Sequence, residues 1–126
     1  MEIKKIKIEF LSNFIVVELN NTDTAEKIYD SCPINSVTNT WGNEIYFETD
    51  IKVKKDKTAK DVIKLGEIAY WVEGSSIAIG FGPTPISKAD EIRLVTKANI
   101  IGKTKSNLSS LGMVNSGEIV IVERMD

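Results

Sequence analysis

The chain of 126 residues has the length of one domain with its own buried core, so residues 1–126 are interpreted as a single domain. Hydrophobic residues make up 42% of it, and no apolar run approaches the roughly 18 residues that span a bilayer, which excludes a membrane-spanning helix. The net charge is −2, and Arg93 and Arg124 are the only arginines, a composition that argues against nucleic acid as a partner.

The first predicted elements are a hairpin and a helix. Apolar residues alternate in "IKIEF" and recur in "FIVVEL", which predicts two antiparallel strands. "NNTDTAEKIYDSC" changes to helical spacing, with Asp23 as the predicted N-cap and Glu26 three residues later. Pro33 is predicted to end this helix, whose apolar face we expect to cover or plug the sheet.

The rest of the chain is predicted to form short strands. They are "EIYFETDIKV", "GEIAYWV", "SSIAIGFG", "EIRLV", "NIIGKT" and "GEIVIVERM", with a hairpin turn at Glu73 and Gly74 and a helical turn at "SNLSSL". Alternation places Tyr46 on the face opposite Phe47, and Tyr70 on the face opposite Trp71. Many strands with one helix indicate an all-β barrel or sandwich.

Several kinds of chemistry are excluded by composition. The chain has no histidine, so it has neither a Ser-His-Asp triad nor a histidine-ligated metal site, and we expect no metal and no cofactor. The single cysteine, Cys32, is interpreted as a packing residue. The N-terminus alternates lysine with isoleucine and lacks the apolar block of a secretory signal, which favours a cytoplasmic location.

The stretch "GFGPTPIS", residues 80–87, marks a strand end. Gly82 permits unusual backbone angles, and Pro83 and Pro85 donate no ladder hydrogen bonds, so the chain is predicted to leave the sheet there as a stiff loop. A stiff loop loses little entropy when a ligand binds against it. The loop therefore either only ends a strand or also forms one wall of a cleft.

Four blocks of sequence carry a family resemblance. "NTWGNEIYFET", "LGEIAYW", "IGFGPTPIS" and "ANIIGKT" resemble, in order and spacing, the small archaeal and bacterial cyclophilin-like proteins of uncharacterised function. The resemblance implies a closed eight-stranded β-barrel with one or two short capping helices. It also implies a ligand-binding depression on the barrel wall, formed by Trp41, Glu44, Tyr46, Tyr70, Phe81, Thr84 and Pro85.

Three functions follow from this resemblance. The first is binding of a small molecule or short peptide in the aromatic-lined cleft. The second is weak peptidyl-prolyl isomerisation with Arg93 as the catalytic arginine, although the chain has neither the histidine nor the glutamine that line the proline pocket of cyclophilin isomerases, which argues against an enzyme. The third is a non-catalytic interaction or assembly module whose aromatic face contacts a partner or a second copy in a homo-oligomer.

Overall fold

The computed structural model describes residues 3–125, and ten strands in this range build an antiparallel sheet. The strands are β1 (Lys5–Glu9), β2 (Phe14–Leu19), β3 (Ile34–Val37), β4 (Asn39–Thr40), β5 (Glu44–Glu48), β6 (Lys60–Ile63), β7 (Glu67–Trp71), β8 (Ser76–Gly80), β9 (Ile92–Thr104) and β10 (Ile119–Met125). One α-helix, α1 (Asp23–Ser31), follows β2, and a 3-10 helix, Ser109–Met113, precedes β10. None of the helices in residues 3–125 has the length and apolar character needed to cross a membrane.

The strands follow the order β3-β10-β1-β2-β9-β7-β8-β5-β4, with β6 pairing β9 beside this path. The prediction of a mainly-β fold is confirmed. The predicted barrel differs in one detail, because among the described residues the sheet is not closed by backbone hydrogen bonds between the first and last strands of this order. Within residues 3–125 no backbone ladder joins β3 to β5, and Ser36 Oγ donates to the Glu48 carbonyl at 2.6 Å where the two strands approach each other. The chain changes partner at Thr38, which still exchanges backbone hydrogen bonds with residues 117 and 118, before β4 pairs with β5. This change of partner leaves a gap between β3 and β5.

The interior of the rolled sheet is a continuous apolar core. It follows from the alternation, because every second residue of a strand faces inward. Its largest buried side chains are Ile6, Ile8, Ile15, Ile28, Ile45, Phe47, Ile68, Tyr70, Ile77, Ile79, Ile101 and Leu111. Ile28 comes from α1, so this helix covers the core as predicted.

The boundaries of α1 differ slightly from the prediction. The N-cap is Thr22, not Asp23, because Thr22 has extended backbone angles and its Oγ1 accepts a hydrogen bond from the Ala25 N–H at 3.2 Å. Asp23 is already helical, and its carboxylate lies in the first turn, where the helix dipole favours negative charge. The helix ends at Ser31, two residues before Pro33.

The strand predictions hold for the hairpins and differ along β5, β6 and β9. "EIYFETDIKV" was predicted as one strand, but β5 ends at Glu48. The pairs β1–β2 and β7–β8 are confirmed. "EIRLV" and "NIIGKT" were predicted as two strands but form the single strand β9, which pairs with β2, β6 and β7. The sequence pattern does not predict β6, because its residues do not alternate between apolar and polar types.

A second, smaller apolar cluster lies on the outer face of the sheet. It consists of Ile63, Ala69, Ala78, Ile92, Leu94 and Ala98, with Tyr46 and Ile100 packed against it. β6 covers part of this face by pairing with β9. The side chains of Ala69 and Ala78 are single methyl groups, which leaves space on this face of the sheet.

Candidate functional site

A cavity of about 220 Å³ opens on this outer face. Its lining residues are Trp41, Glu44, Tyr46, Trp71, Ala78, Leu94, Val95, Thr96 and Ala98. They come from β5, β7, β8 and β9 and from the turn after β4. The site is thus built on strands, and only Trp41 lies on a turn.

Alternation along the strands explains why these side chains face outward. Ile45 and Phe47 are fully buried in the interior, so Glu44 and Tyr46 project from the other face of β5. The same rule separates Tyr70, which is fully buried inside, from Trp71, which lines the cavity. Both divergences that the sequence predicted are confirmed.

Two aromatic rings form adjacent walls of the cavity. The ring centroids of Tyr46 and Trp71 are 5.8 Å apart and their planes are nearly perpendicular, at 89°. Gly74 makes the position of Trp71 possible, because a Cβ at residue 74 would lie 2.3 Å from the Trp71 Cε3 atom. The Trp71 Nε1–H group is buried and has no hydrogen-bond partner.

Glu44 is the only carboxyl among the lining residues, and it is 6% exposed. Its Oε1 atom is buried and has no hydrogen-bond partner. Burial raises the pKa of Glu44 from 4.5 to about 7, because the charged form loses its hydration there. Near neutral pH the group is therefore present both as an acid and as a carboxylate.

The "GFGPTPIS" loop packs against Gly42 and Asn43, in the turn between Trp41 and Glu44. Gly42 has a positive φ of 61°, and a Cβ there would lie 2.8 Å from Pro85 Cδ. The Asn43 N–H donates to the Pro83 carbonyl at 3.0 Å, so the loop is attached to the turn that carries Trp41. Thr84 is buried, and its hydroxyl donates to the Arg93 carbonyl. The loop supports one wall of the cavity from outside it.

The structure brings together three of the seven expected ligand-binding residues. Trp41, Glu44 and Tyr46 line the cavity. Tyr70 lies in the barrel interior, where its hydroxyl donates to the Ile51 carbonyl at 2.5 Å and shares a hydrogen bond with Thr49 Oγ1 at 2.8 Å. The other three residues do not line the cavity, because Phe81 packs against the interior core and Thr84 and Pro85 belong to the supporting loop.

The lining residues missing from the sequence prediction are Trp71 of β7, Ala78 of β8 and, from β9, Leu94, Val95, Thr96 and Ala98. Trp71 carried a partial signal, because alternation placed it on the face opposite Tyr70, but the sequence did not show which of the two side chains faces inward. The β9 residues carried none, because their proximity to β5 depends on the order of strands in the sheet.

Arg93, the residue assigned to the isomerase hypothesis, lies on β9 but does not line the cavity. Its Nε–H donates to Glu91 Oε2 at 2.6 Å, and its Nη1 lies 3.2 Å from Asp61 Oδ2. These two carboxylates hold the guanidinium group beside β6.

Cys32 carries the single thiol of the chain. Burial raises the pKa of the Cys32 thiol to about 11, so it stays protonated near neutral pH. In the part of the chain that the structure describes, no three histidine, cysteine or acidic residues cluster in a way that would hold a metal ion.

Comparison with known proteins identifies a family that this chain matches. The cyclophilin-like family model matches residues 4–123. A solved structure, the solution structure of the hypothetical protein AF2241 from Archaeoglobus fulgidus, is 40% identical, with a TM-score of 0.85, over 98% of this chain and 95% of that one. No curated protein shows significant similarity to this chain.

Proposed function

The chain belongs to the cyclophilin-like family, and we propose that it binds a small molecule, or one side chain of a short peptide, in the aromatic cavity on the outer face of the sheet. The observation that carries this proposal is that two lining residues, Glu44 and Trp71, each have a buried polar atom without a hydrogen-bond partner, Oε1 and Nε1. A buried polar group without a partner costs about 1–3 kcal/mol. A ligand that hydrogen-bonds to both atoms would recover part of that cost on binding.

The size of the cavity sets the size of the ligand. At about 220 Å³ it is smaller than the roughly 300–1,000 Å³ of sites for drug-sized compounds. Aromatic and aliphatic walls with a few polar groups are typical of small-ligand sites. We therefore assign a ligand, or an inserted part of one, no larger than a single side chain.

The same geometry favours binding over the two alternatives. The isomerase hypothesis needs a free arginine at the proline site, whereas Arg93 is paired with Glu91 and Asp61. The interaction-module hypothesis needs a broad apolar surface, whereas this site is concave and small. Neither alternative explains why Glu44 is buried without a partner.

Two-dimensional NMR of ¹⁵N-labelled protein tests the proposal. A mixture of small metabolites and short proline-containing peptides is added, and we expect the indole N–H signal of Trp71 to shift with signals from β5 and β9. In the variant Val95→Phe, which adds bulk at the rim of the cavity, these shifts should be lost.

Val37→Phe is the matched control, because Val37 and Val95 are 51% and 50% exposed and Val37 lies on β3, away from the cavity. We expect this variant to keep the response. Shifts confined to residues outside the cavity, or shifts that persist in Val95→Phe, would contradict the proposal.

A further inference from the structure

We propose that the ligand of this cavity carries an organic ammonium group, which lies between the carboxylate of Glu44 and the rings of Trp41, Tyr46 and Trp71. This inference rests on the proposed binding function and adds the chemical class of the ligand. Three features of the cavity carry it: its charge, its aromatic walls and its two unpartnered polar atoms.

The charges of the lining residues disfavour an anionic ligand and favour a cationic one. Glu44 is the one lining residue that carries charge near neutral pH, and neither lysine nor arginine is among the nine lining residues. Lys97, the basic residue of β9 between Thr96 and Ala98, is exposed and does not line the cavity. An anionic ligand would meet a poorly hydrated carboxylate with no positive charge to offset it.

The walls suit a cation as well. The faces of tryptophan and tyrosine rings attract an ammonium group within about 6 Å of the centroid, and the attraction grows when water is excluded. Tyr46 and Trp71 lie at 89° to each other, so a group in the corner between them meets two differently oriented rings. Trp41 adds a third ring to the lining.

The unpartnered Glu44 Oε1 atom favours a cationic ligand over a neutral hydrogen-bond donor. An amide or a hydroxyl would donate a hydrogen bond to the ionised carboxylate and leave its charge in place, whereas an ammonium group also brings an opposite charge. An ammonium group would therefore offset the burial of this carboxylate more fully than an amide or a hydroxyl would. It also neutralises the charge that burial at 6% exposure leaves poorly hydrated.

The unpartnered Trp71 Nε1–H indicates a second feature of the ligand. An ammonium group donates hydrogen bonds or, when fully methylated, makes none, so it cannot accept one from the indole. A hydroxyl or carbonyl oxygen near the ammonium group would accept it. The ligand class is thus a small ammonium compound that carries one oxygen acceptor.

Choline and its uncharged isostere 3,3-dimethyl-1-butanol test this inference directly. They share a shape and a hydroxyl group and differ in the charge at the branched centre. Each is titrated into the full chain at pH 8, above the pKa of about 7 for Glu44, and binding is followed by calorimetry and by the Trp71 indole N–H signal. We expect choline to bind about tenfold or more tightly than the alcohol, through ion-pair and cation–π attraction and not through a hydrogen bond, because its ammonium group has no N–H.

Two glutamine variants isolate the charge. Glu44→Gln keeps the shape of the side chain and should reduce the choline preference to about twofold or less. Glu48→Gln removes a carboxylate from the same face of β5, but Glu48 is exposed and does not line the cavity, so the preference should be unchanged. Circular dichroism confirms that each variant is folded, and the comparison of the two ligands on the unaltered chain does not depend on the variants.

The outcomes separate this inference from the proposed function. If both compounds shift the Trp71 signal with equal affinity, the cavity is a binding site but the ammonium inference is overturned. If neither binds at millimolar concentration, the ammonium inference is overturned, and the proposed function is judged by its own screen of metabolites. A choline preference that survives Glu44→Gln overturns the role of the carboxylate and the inference with it.

Discussion

At the scale of single residues, Glu44 combines burial, an unpartnered oxygen and an elevated pKa in one side chain. A carboxyl that is 6% exposed without a cationic partner destabilises the folded chain whenever it is ionised. Core side chains show no such conflict, because they are apolar or, like Tyr70, hydrogen-bonded. The conflict at Glu44 is therefore a local property of the cavity.

Replacing Glu44 with glutamine should stabilise the protein in a pH-dependent way. Folding raises the pKa of Glu44 from 4.5 to about 7, so the folded chain holds this proton more tightly than the unfolded chain. The stability that this proton provides is fully present below about pH 4.5 and is lost as the pH rises to about 7. At pH 8, Glu44→Gln should raise the free energy of unfolding by up to about 3 kcal/mol.

Urea denaturation at pH 4.5 and pH 8 measures this difference. The effect of Glu44→Gln should be small at the lower pH, where the native carboxyl is already protonated. Glu48→Gln, on the exposed part of the same strand, serves as the reference variant. An equal effect of Glu44→Gln at both pH values would show that the carboxyl is not held in its protonated form by burial.

At the scale of elements, β9 connects the barrel to the cavity. It pairs with β2 and β7 near its end and with β6 near its beginning, and residues from its first half line the site. Gly102 lies opposite both Leu19 of β2 and Ile68 of β7. A Cβ at residue 102 would lie 2.3 Å from the Glu18 carbonyl oxygen, so the close approach of β9 to β2 requires glycine.

The variant Gly102→Ala should be strongly destabilised. The clash is with backbone atoms, which cannot rotate away as a side chain can, so we expect a loss of about 2–3 kcal/mol or more in the free energy of unfolding. Gly112→Ala is the control, since a Cβ at residue 112 has no neighbour within 4 Å, and its stability should change by less than about 1 kcal/mol. Thermal and urea denaturation compare the two. Equal stabilities would mean that β2 and β9 separate more easily than their register indicates.

At the scale of the whole molecule, the sheet is rolled but not hydrogen-bonded all the way round. β3 is paired along one edge only, with β10. β1 is paired along both edges, with β10 on one side and β2 on the other. A cavity of about 760 Å³ lies at the gap, with lining residues from β3 and from the segment after β5. The aromatic cavity lies elsewhere, over β7, β8 and β9, so the gap and the candidate site share no lining residue.

Hydrogen exchange should reveal this gap. Strands paired on a single edge open with lower free energy than strands paired on both edges. We expect the backbone amides of β3 to exchange about tenfold faster, on average, than those of β1, as followed by NMR at constant pH. Equal protection of the two strands would indicate that β3 and β5 pair directly in solution.

The fold was largely predictable because local patterns encode it. Alternating residues such as Ile45 and Phe47 identify the strands and their inward faces, and the helical spacing around Ile28 identifies α1. The family resemblance added the barrel topology, which the comparisons confirm as a cyclophilin-like fold. The gap between β3 and β5 was not predictable, because it depends on where the chain changes partner at Thr38.

The candidate site was predictable only in part, for a physical reason. A strand pattern states which residues share a face, so Glu44 and Tyr46 were assignable to the face opposite Phe47, and Tyr70 and Trp71 to opposite faces of their strand. It does not state which strands become neighbours, so the contribution of β9, the inward burial of Tyr70 and the supporting role of the Pro83–Pro85 loop came from the tertiary structure alone. The burial of Glu44 has the same origin, because desolvation of a carboxyl is the combined effect of side chains from separate strands.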